Sequence, residues 1–259
     1  MPELPDLQAF SQNLQRRLAG KKVSGVILTS KKSNVTAAEL EQVLEGQHIE
    51  AVFREGKQLR LRFSNDVLLG LHLMLHGELH VVQAEEQLKF SVFELLLDSK
   101  EKLVLSDFQK QARPTLNPEP SNVPDALSDR LDVGYLKTLL SGKKAIIKNV
   151  LLDQDAIRGI GNAYADEILW HARISPFSVS AAIPDKALRK LVASIKDVLE
   201  QAIHKILAEQ PDIISGELRD FMVIHQSQNP ESPTGHKIEI KKNGARKTYF
   251  TDEQVLYEV

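Results

Sequence analysis

Four prolines crowded into RPTLNPEPSNVPDALS, at positions 114, 118, 120 and 124, divide this chain into halves with different hydrophobic patterns. Proline fixes φ and removes a backbone donor, so the stretch is expected to run as an extended linker over residues 113–128. Before it, apolar residues alternate with period two; after it, they recur with the helical period of 3.6. The pattern predicts a two-domain α+β chain. An N-terminal antiparallel β-sandwich domain occupies residues 1–112 and begins with a helix. A helical domain follows over 129–220, and a terminal β-hairpin over 221–259. The 259 residues are enough for two domains, each with its own core.

Leu7, Phe10, Leu14 and Leu18 lie at helical spacing directly after the opening MPELPD, and Gly20 ends that helix. VSGVIL, IEAVFR, QLRLRF, VLLGLHLML, GELHVV, FSVFELLL and KLVLSDF then read as short strands bounded by charged or turn residues. Beyond the linker, YLKTLLSG, KKAIIKNVLLDQ and ADEILWHARI read as short helices. A long helix starts at Pro184 and Asp185, with Leu188, Leu191, Ile195, Leu199, Ala202 and Ile206 on one stripe. The last segment returns to strand-like alternation around KKNGAR, where Asn-Gly signals a hairpin turn.

There is no cysteine, which excludes a disulfide framework and cysteine-ligated zinc. No apolar run reaches the roughly 18 residues of a membrane span, and a cytoplasmic address is the expectation. The net charge of −2 argues weakly against nucleic acid as a partner. Its distribution matters more, because GHKIEIKKNGARKTYF holds Lys237, Lys241, Lys242, Arg246 and Lys247 against Glu239 alone. That run is either a solvated hairpin face or a binding face.

Two local features carry chemistry. Removal of Met1 turns the Pro2 nitrogen into a secondary amine, a good nucleophile available only at a chain end. The opening is thus either an ordinary start or an active site. In LLDQDAIRGIGNAYADEILWHARISP, a tight Gly-Ile-Gly-Asn turn joins two helices, with Asn162 expected as the cap of the second. Glycines such as Gly161 permit close backbone approach, and the free amides of a helix N-terminus suit a phosphate. The same turn also serves plain helix packing.

Taken together, MPELPDL, REGKQLRL with Lys57 in a strand-to-strand turn, the GIGN segment and NGARKTYF resemble, in this order, the formamidopyrimidine-DNA glycosylase and endonuclease VIII family. GIGN corresponds to that family's helix-two-turn-helix element. The resemblance implies a base-excision-repair enzyme, both DNA glycosylase and abasic-site lyase. It would act as a monomer on double-stranded DNA containing damaged bases or abasic sites, without a cofactor. It implies Pro2 as the nucleophile that forms a Schiff base, Glu3 as the acid/base residue and Lys57 as a contact to the phosphate flanking the lesion. Asn162 and Arg246, with the Gly161 backbone, would grip phosphates on either side of an extruded nucleotide. Asp6 stands where the family usually has glutamate.

The sequence departs from that family in three places. Many members close the terminal hairpin with four cysteines on zinc; here those positions carry Glu231, Thr234, Thr251 and Gln254. Threonine and glutamine are poor zinc ligands, so the expectation is a zincless finger with no metal. The residues that fill the gap left by base flipping map onto Leu75 in place of a methionine, and onto Lys110 and Gln111 in place of an arginine and a phenylalanine. No stacking aromatic remains there unless Phe108 substitutes. Finally, only Met222 separates Phe221 from Val223 where other members carry a loop over oxidised guanine. Two rivals stand beside the enzyme: a nucleic-acid-binding protein without turnover, and a protein-interaction scaffold. The first leaves a terminal proline amine unexplained, the second the GIGN turn and the basic hairpin.

Overall fold

The computed structural model describes residues 1–243 and 246–258, and for Asn243 only the backbone. The tip of the expected Asn-Gly turn therefore lies outside the described residues. Two compact units emerge: Met1–Pro120 with Ile206–Glu217, and Ser121–Lys205 with Leu218–Val259.

In the first unit, helix α1 (Leu4–Leu18) carries Pro5 as its second residue, within the first turn, where the missing N–H would have had no intrahelical partner. Leu7, Phe10, Leu14 and Leu18 are all buried, as their spacing predicts. Strands β1 (Val23–Leu28), β2 (Ile49–Glu55), β3 (Gln58–Phe63), β4 (Leu68–His72), β5 (Glu78–Gln83), β6 (Ser91–Leu97), β7 (Glu101–Ser106) and β8 (Arg113–Leu116) form two four-stranded antiparallel sheets. Their orders are β1-β6-β7-β5 and β2-β3-β4-β8. The sandwich core holds Leu59, Leu61, Leu69 and Leu71 from one sheet and Phe93, Leu95, Leu103 and Leu105 from the other.

Three elements differ from the sequence reading. Arg113–Leu116, expected as the start of the linker, is a strand that pairs with β4, Leu71 opposite Pro114. It lies at the sheet edge, the place in a sheet where a proline is tolerated. A short helix α2 (Ala37–Leu44) was also unforeseen. A capping box holds it, with Thr36 Oγ1 accepting Glu39 N–H at 3.3 Å and Glu39 Oε2 accepting Thr36 N–H at 2.7 Å. The expected β4 is shorter too, ending at His72 ahead of a turn in which Met74 takes φ +55°.

Residues 206–217 belong to this first unit although the sequence reading gave them to the helical domain. They are held by Asn13 Nδ2 donating to Ile213 O at 2.7 Å and by Leu79 N donating to Ser215 Oγ at 3.1 Å.

The second unit contains α3 (Val133–Leu140), α4 (Ile147–Leu152), α5 (Asn162–Ala172), most of α6 (Asp185–Glu209), and the hairpin of β9 (Glu239–Asn243) with β10 (Arg246–Phe250). The predicted stripe of α6, Leu188 to Ile206, is buried. Ile224, Ile238 and Tyr249 form a small core at the hairpin with Trp170 and Val223 beside it. No helix among the described residues is long and apolar enough to cross a membrane.

Candidate functional site

In the first unit, Pro2 lines a cavity of about 660 Å³ together with Leu75, His76, Phe90, Asp107, Phe108 and Glu217. The ammonium of Met1 pairs with the Glu217 carboxylate. Glu3 is 5% exposed and forms the N-cap of α1, and its N–H donates to Asp6 Oδ2 at 2.8 Å. The fully buried Asp6 thus serves the helix start, which fixes the residues next to Pro2.

Leu75, Phe90 and Phe108, each 57% exposed, are the most exposed large hydrophobic side chains among the described residues, and all three border this cavity. Leaving apolar surface in water costs roughly 25 cal/mol per Å², so a chain keeps it there when something else covers it. The loops that present these side chains are tied down. Asp107 accepts the N–H groups of Gln109, Gln111 and Ala112 at 2.7–2.8 Å, around a left-handed Lys110 at φ +54°. Phe108 lies against the His76 ring at 4.7 Å between centroids. Lys110 and Gln111 are exposed in the same loop.

Behind Leu75, His72 Nδ1 accepts the N–H of Met74 at 3.0 Å and so braces the turn. Burial, then the charges of Arg113 and Lys57, hold its imidazole down to about 4. Lys57 occupies the β2–β3 turn beside Gly56, whose φ of +58° suits the first central position of a type II′ hairpin.

The second unit assembles the other predicted residues. Gly161, not Asn162, is the N-cap of α5, and Asn162 is its first helical residue. The correction follows from what the side chain does: instead of capping its own helix, Asn162 Nδ2 donates to the carbonyl of Lys247 at 3.1 Å. Lys148 from α4 reaches the same carbonyl at 3.3 Å, Thr248 Oγ1 at 2.9 Å and Asp166 Oδ1 at 2.7 Å. Asp166 Oδ2 also meets His225 Nδ1 at 2.7 Å and accepts Tyr249 N–H at 3.0 Å. Lys148 and Asp166 are at most 2% exposed, so this pair is desolvated and its hydrogen bonds must compensate. The result fixes β10 against α4 and α5, with Arg246 exposed one residue before the anchored carbonyl. Sequence reasoning missed Lys148 and Asp166, which read as ordinary helix charges.

The family question is settled by comparison with known proteins. The N-terminal domain of formamidopyrimidine-DNA glycosylase matches residues 1–113 and its H2TH domain matches 123–210. The formamidopyrimidine-DNA glycosylase of Lactiplantibacillus plantarum is 30% identical over 96% of this chain and 97% of its own. This chain belongs to the formamidopyrimidine-DNA glycosylase family. The Chloroflexus aurantiacus member is 32% identical over 78% of this chain and 77% of its own. In fold, the chain is similar to Lactococcus lactis Fpg solved in complex with DNA containing an abasic site. That likeness has a TM-score of 0.85 at 22% identity and covers 96% and 98% of the two chains.

Gln254 Oε1 accepts Thr251 N–H at 2.8 Å and its Nε2 donates to Ile174 O at 2.8 Å, so it serves the backbone. Among the described residues, no group of three or more His, Cys, Asp or Glu is arranged to hold a metal ion. The short Phe221–Val223 stretch is a tied turn. Glu167 Oε2 accepts Val223 N–H, and its Oε1 accepts those of Ile224 and His225, at 2.7–3.2 Å, while burial pushes its carboxyl up.

Proposed function

We propose that the protein is a base-excision-repair DNA glycosylase with abasic-site lyase activity that acts on double-stranded DNA through the amine of Pro2. The observation that carries this reading is the position of Pro2 in a 660 Å³ cavity rimmed by exposed Leu75, Phe90 and Phe108, in a chain of this family. The volume is within the range of ligand sites.

With Met1 removed, the Pro2 nitrogen attacks C1′ of the damaged nucleoside and the base departs with the electrons of the C1′–N bond. Glu3 takes up the proton that the attacking nitrogen sheds and returns it to the ring oxygen as the sugar opens, leaving a cationic iminium between Pro2 and C1′. That cation is an electron sink, so the 2′ proton becomes acidic and its loss drives out the 3′ phosphate. Elimination of the 5′ phosphate follows by the same logic. An unperturbed α-amino group titrates at roughly 7.7–8.0, so a neutral fraction exists near neutral pH. Lys57 contacts the phosphate beside the lesion. Asn162, Arg246 and the Gly161 backbone hold flanking phosphates, and such contacts position without reading sequence. Leu75, Lys110 and Gln111 face the duplex where the base has left.

The test is borohydride trapping on duplex DNA with an abasic site, using protein whose N-terminus has been checked by mass. A covalent adduct is expected with the wild type and a strongly reduced one with Pro2→Gly. DNA binding without any adduct would leave a binding protein that does not turn over.

A further inference from the structure

We infer that Glu253 is the positioning residue of the terminal hairpin: its carboxylate, taking up hydrogen-bond donors from three segments, ties those segments together around a charge that the chain itself supplies. The inference rests on the DNA-binding reading above.

Glu253 Oε1 accepts Thr234 Oγ1–H at 2.7 Å and pairs with Arg173 Nη1 at 2.7 Å. Its Oε2 accepts the indole N–H of Trp170 at 3.1 Å, Thr251 Oγ1–H at 3.1 Å and Ser232 Oγ–H at 3.3 Å. These partners come from the end of α5, the segment leading into β9 and the residues directly after β10. A metal site gathers anionic or neutral ligands around a cation. Here the polarity is inverted, with neutral and cationic donors around an anion that the chain supplies itself. Thr234 and Thr251, two of the four residues at the zinc positions, are poor zinc ligands but competent donors to a carboxylate.

Two further observations agree. Arg173 adopts φ +60°, a left-handed conformation that is disfavoured for a non-glycine residue, and the Glu253 ion pair together with stacking over Trp170 at 4.6 Å holds it there. Burial would raise the Glu253 carboxyl, yet the hydrogen bonds of Thr234, Trp170 and Thr251 and the charge of Arg173 bring it down to about 2. The other charged groups facing it are His236, whose Nε2 is 3.9 Å away, and Asp252, which binds His236 Nδ1 at 2.7 Å. Through Thr251, the carboxylate fixes the end of β10, the strand that begins with Arg246.

Trp170 is the chain's single tryptophan, so its indole N–H is an isolated reporter in a ¹H–¹⁵N spectrum. In the full-length wild type, that signal should move only in strong acid, when Glu253 protonates, and it should be displaced at all pH values in Glu253→Gln. Glu253→Gln should weaken binding to duplex DNA with an abasic-site analogue roughly tenfold, with little change in single-turnover rate at saturating protein. Glu253→Asp, which keeps the charge, should recover part of that loss, and a chelator should leave wild-type binding intact. Equal losses in Gln and Asp variants, wild-type affinity in Glu253→Gln, or a chelator that abolishes binding would overturn the inference. Wild type that fails to bind the DNA at all would sink the glycosylase reading instead, and the indole titration would then decide the place of Glu253 alone.

Discussion

Asn162 donates its side-chain amide to the main-chain oxygen of Lys247 at 3.1 Å, which joins the Gly-Ile-Gly-Asn turn to the basic strand β10 by a direct bond. The two stretches that sequence analysis singled out for phosphate binding therefore form one surface within the second unit. Loss of this amide should act on both. Asn162→Ala is expected to weaken binding to abasic and undamaged duplex alike, by roughly tenfold, or about 1.4 kcal/mol. Arg246→Ala should also lower the salt dependence of binding by about one unit of slope. Fluorescence anisotropy across a salt series measures both. A change in lesion preference, with affinity for undamaged DNA intact, would contradict the phosphate role.

Lys148 holds that surface from beneath. Its removal leaves Asp166 buried with only the His225 imidazole and the Tyr249 amide, and breaking a buried pair from one side costs about 3–5 kcal/mol. Lys148→Met should lower the urea midpoint by a corresponding amount at unchanged slope. The double variant Lys148→Met, Asp166→Asn should recover part of it, because the stranded charge is gone. A single variant as stable as wild type would mean that the pair does not hold β10.

How much of this was legible in the sequence depended on range. Strands and long helices announced themselves because burial imposes a period on contiguous residues, as in α1 and α6. Helix α2 buries only Leu40 and Leu44, too few to set a period. Its Thr36-to-Glu39 capping box was the available signal. Strand β8 was hidden by Pro114, whose missing donor suggested a linker but is equally at home on an edge strand. Pro2 and Glu3 could be marked from the opening residues alone. Glu217 could not, since nothing local in SGEL shows that residues 206–217 return to the unit of α1.

His72 gives the fold a specific acid sensitivity. Its folded-state value of about 4 lies below the ordinary 6.5, so between these the unfolded chain takes up a proton that the folded chain refuses. The stability it contributes is fully present above about pH 6.5 and is lost as the pH falls towards 4. Urea midpoints compared at pH about 7.5 and about 4.5 should show a smaller acid loss in His72→Gln, which retains an acceptor for Met74 N–H, than in wild type. The loss owed to Glu253 lies at lower pH and should persist in that variant.

On the proposed reading, in which the loop of Lys110 and Gln111 faces the duplex, Phe108 is the aromatic that this loop presents. It is more than half exposed, in tilted ring contact with His76 and held on a loop whose amides Asp107 gathers, so its ordering cost is already met before DNA arrives. Stacking of one base on an aromatic is worth roughly 1–3 kcal/mol. Phe108→Ala should weaken binding to lesion-containing duplex by a corresponding factor, and Phe108→Trp should not. A 2-aminopurine placed opposite the lesion should be quenched on binding by the wild type and much less by Phe108→Ala. Identical quenching by both would assign the stacking to another residue.

The pairing of Met1 with Glu217 bears on the proposed nucleophile. Removal of Met1 transfers the terminal amine to Pro2, which borders the same cavity as Glu217. Glu217 is then the carboxylate placed to hold that nitrogen by charge and hydrogen bonding. Glu217→Ala should therefore slow borohydride trapping on abasic duplex while leaving affinity for an abasic-site analogue close to that of wild type, and Glu217→Gln, which keeps an acceptor, should recover part of the rate. Trapping by Glu217→Ala at the wild-type rate would place the working amine beyond the reach of that carboxylate.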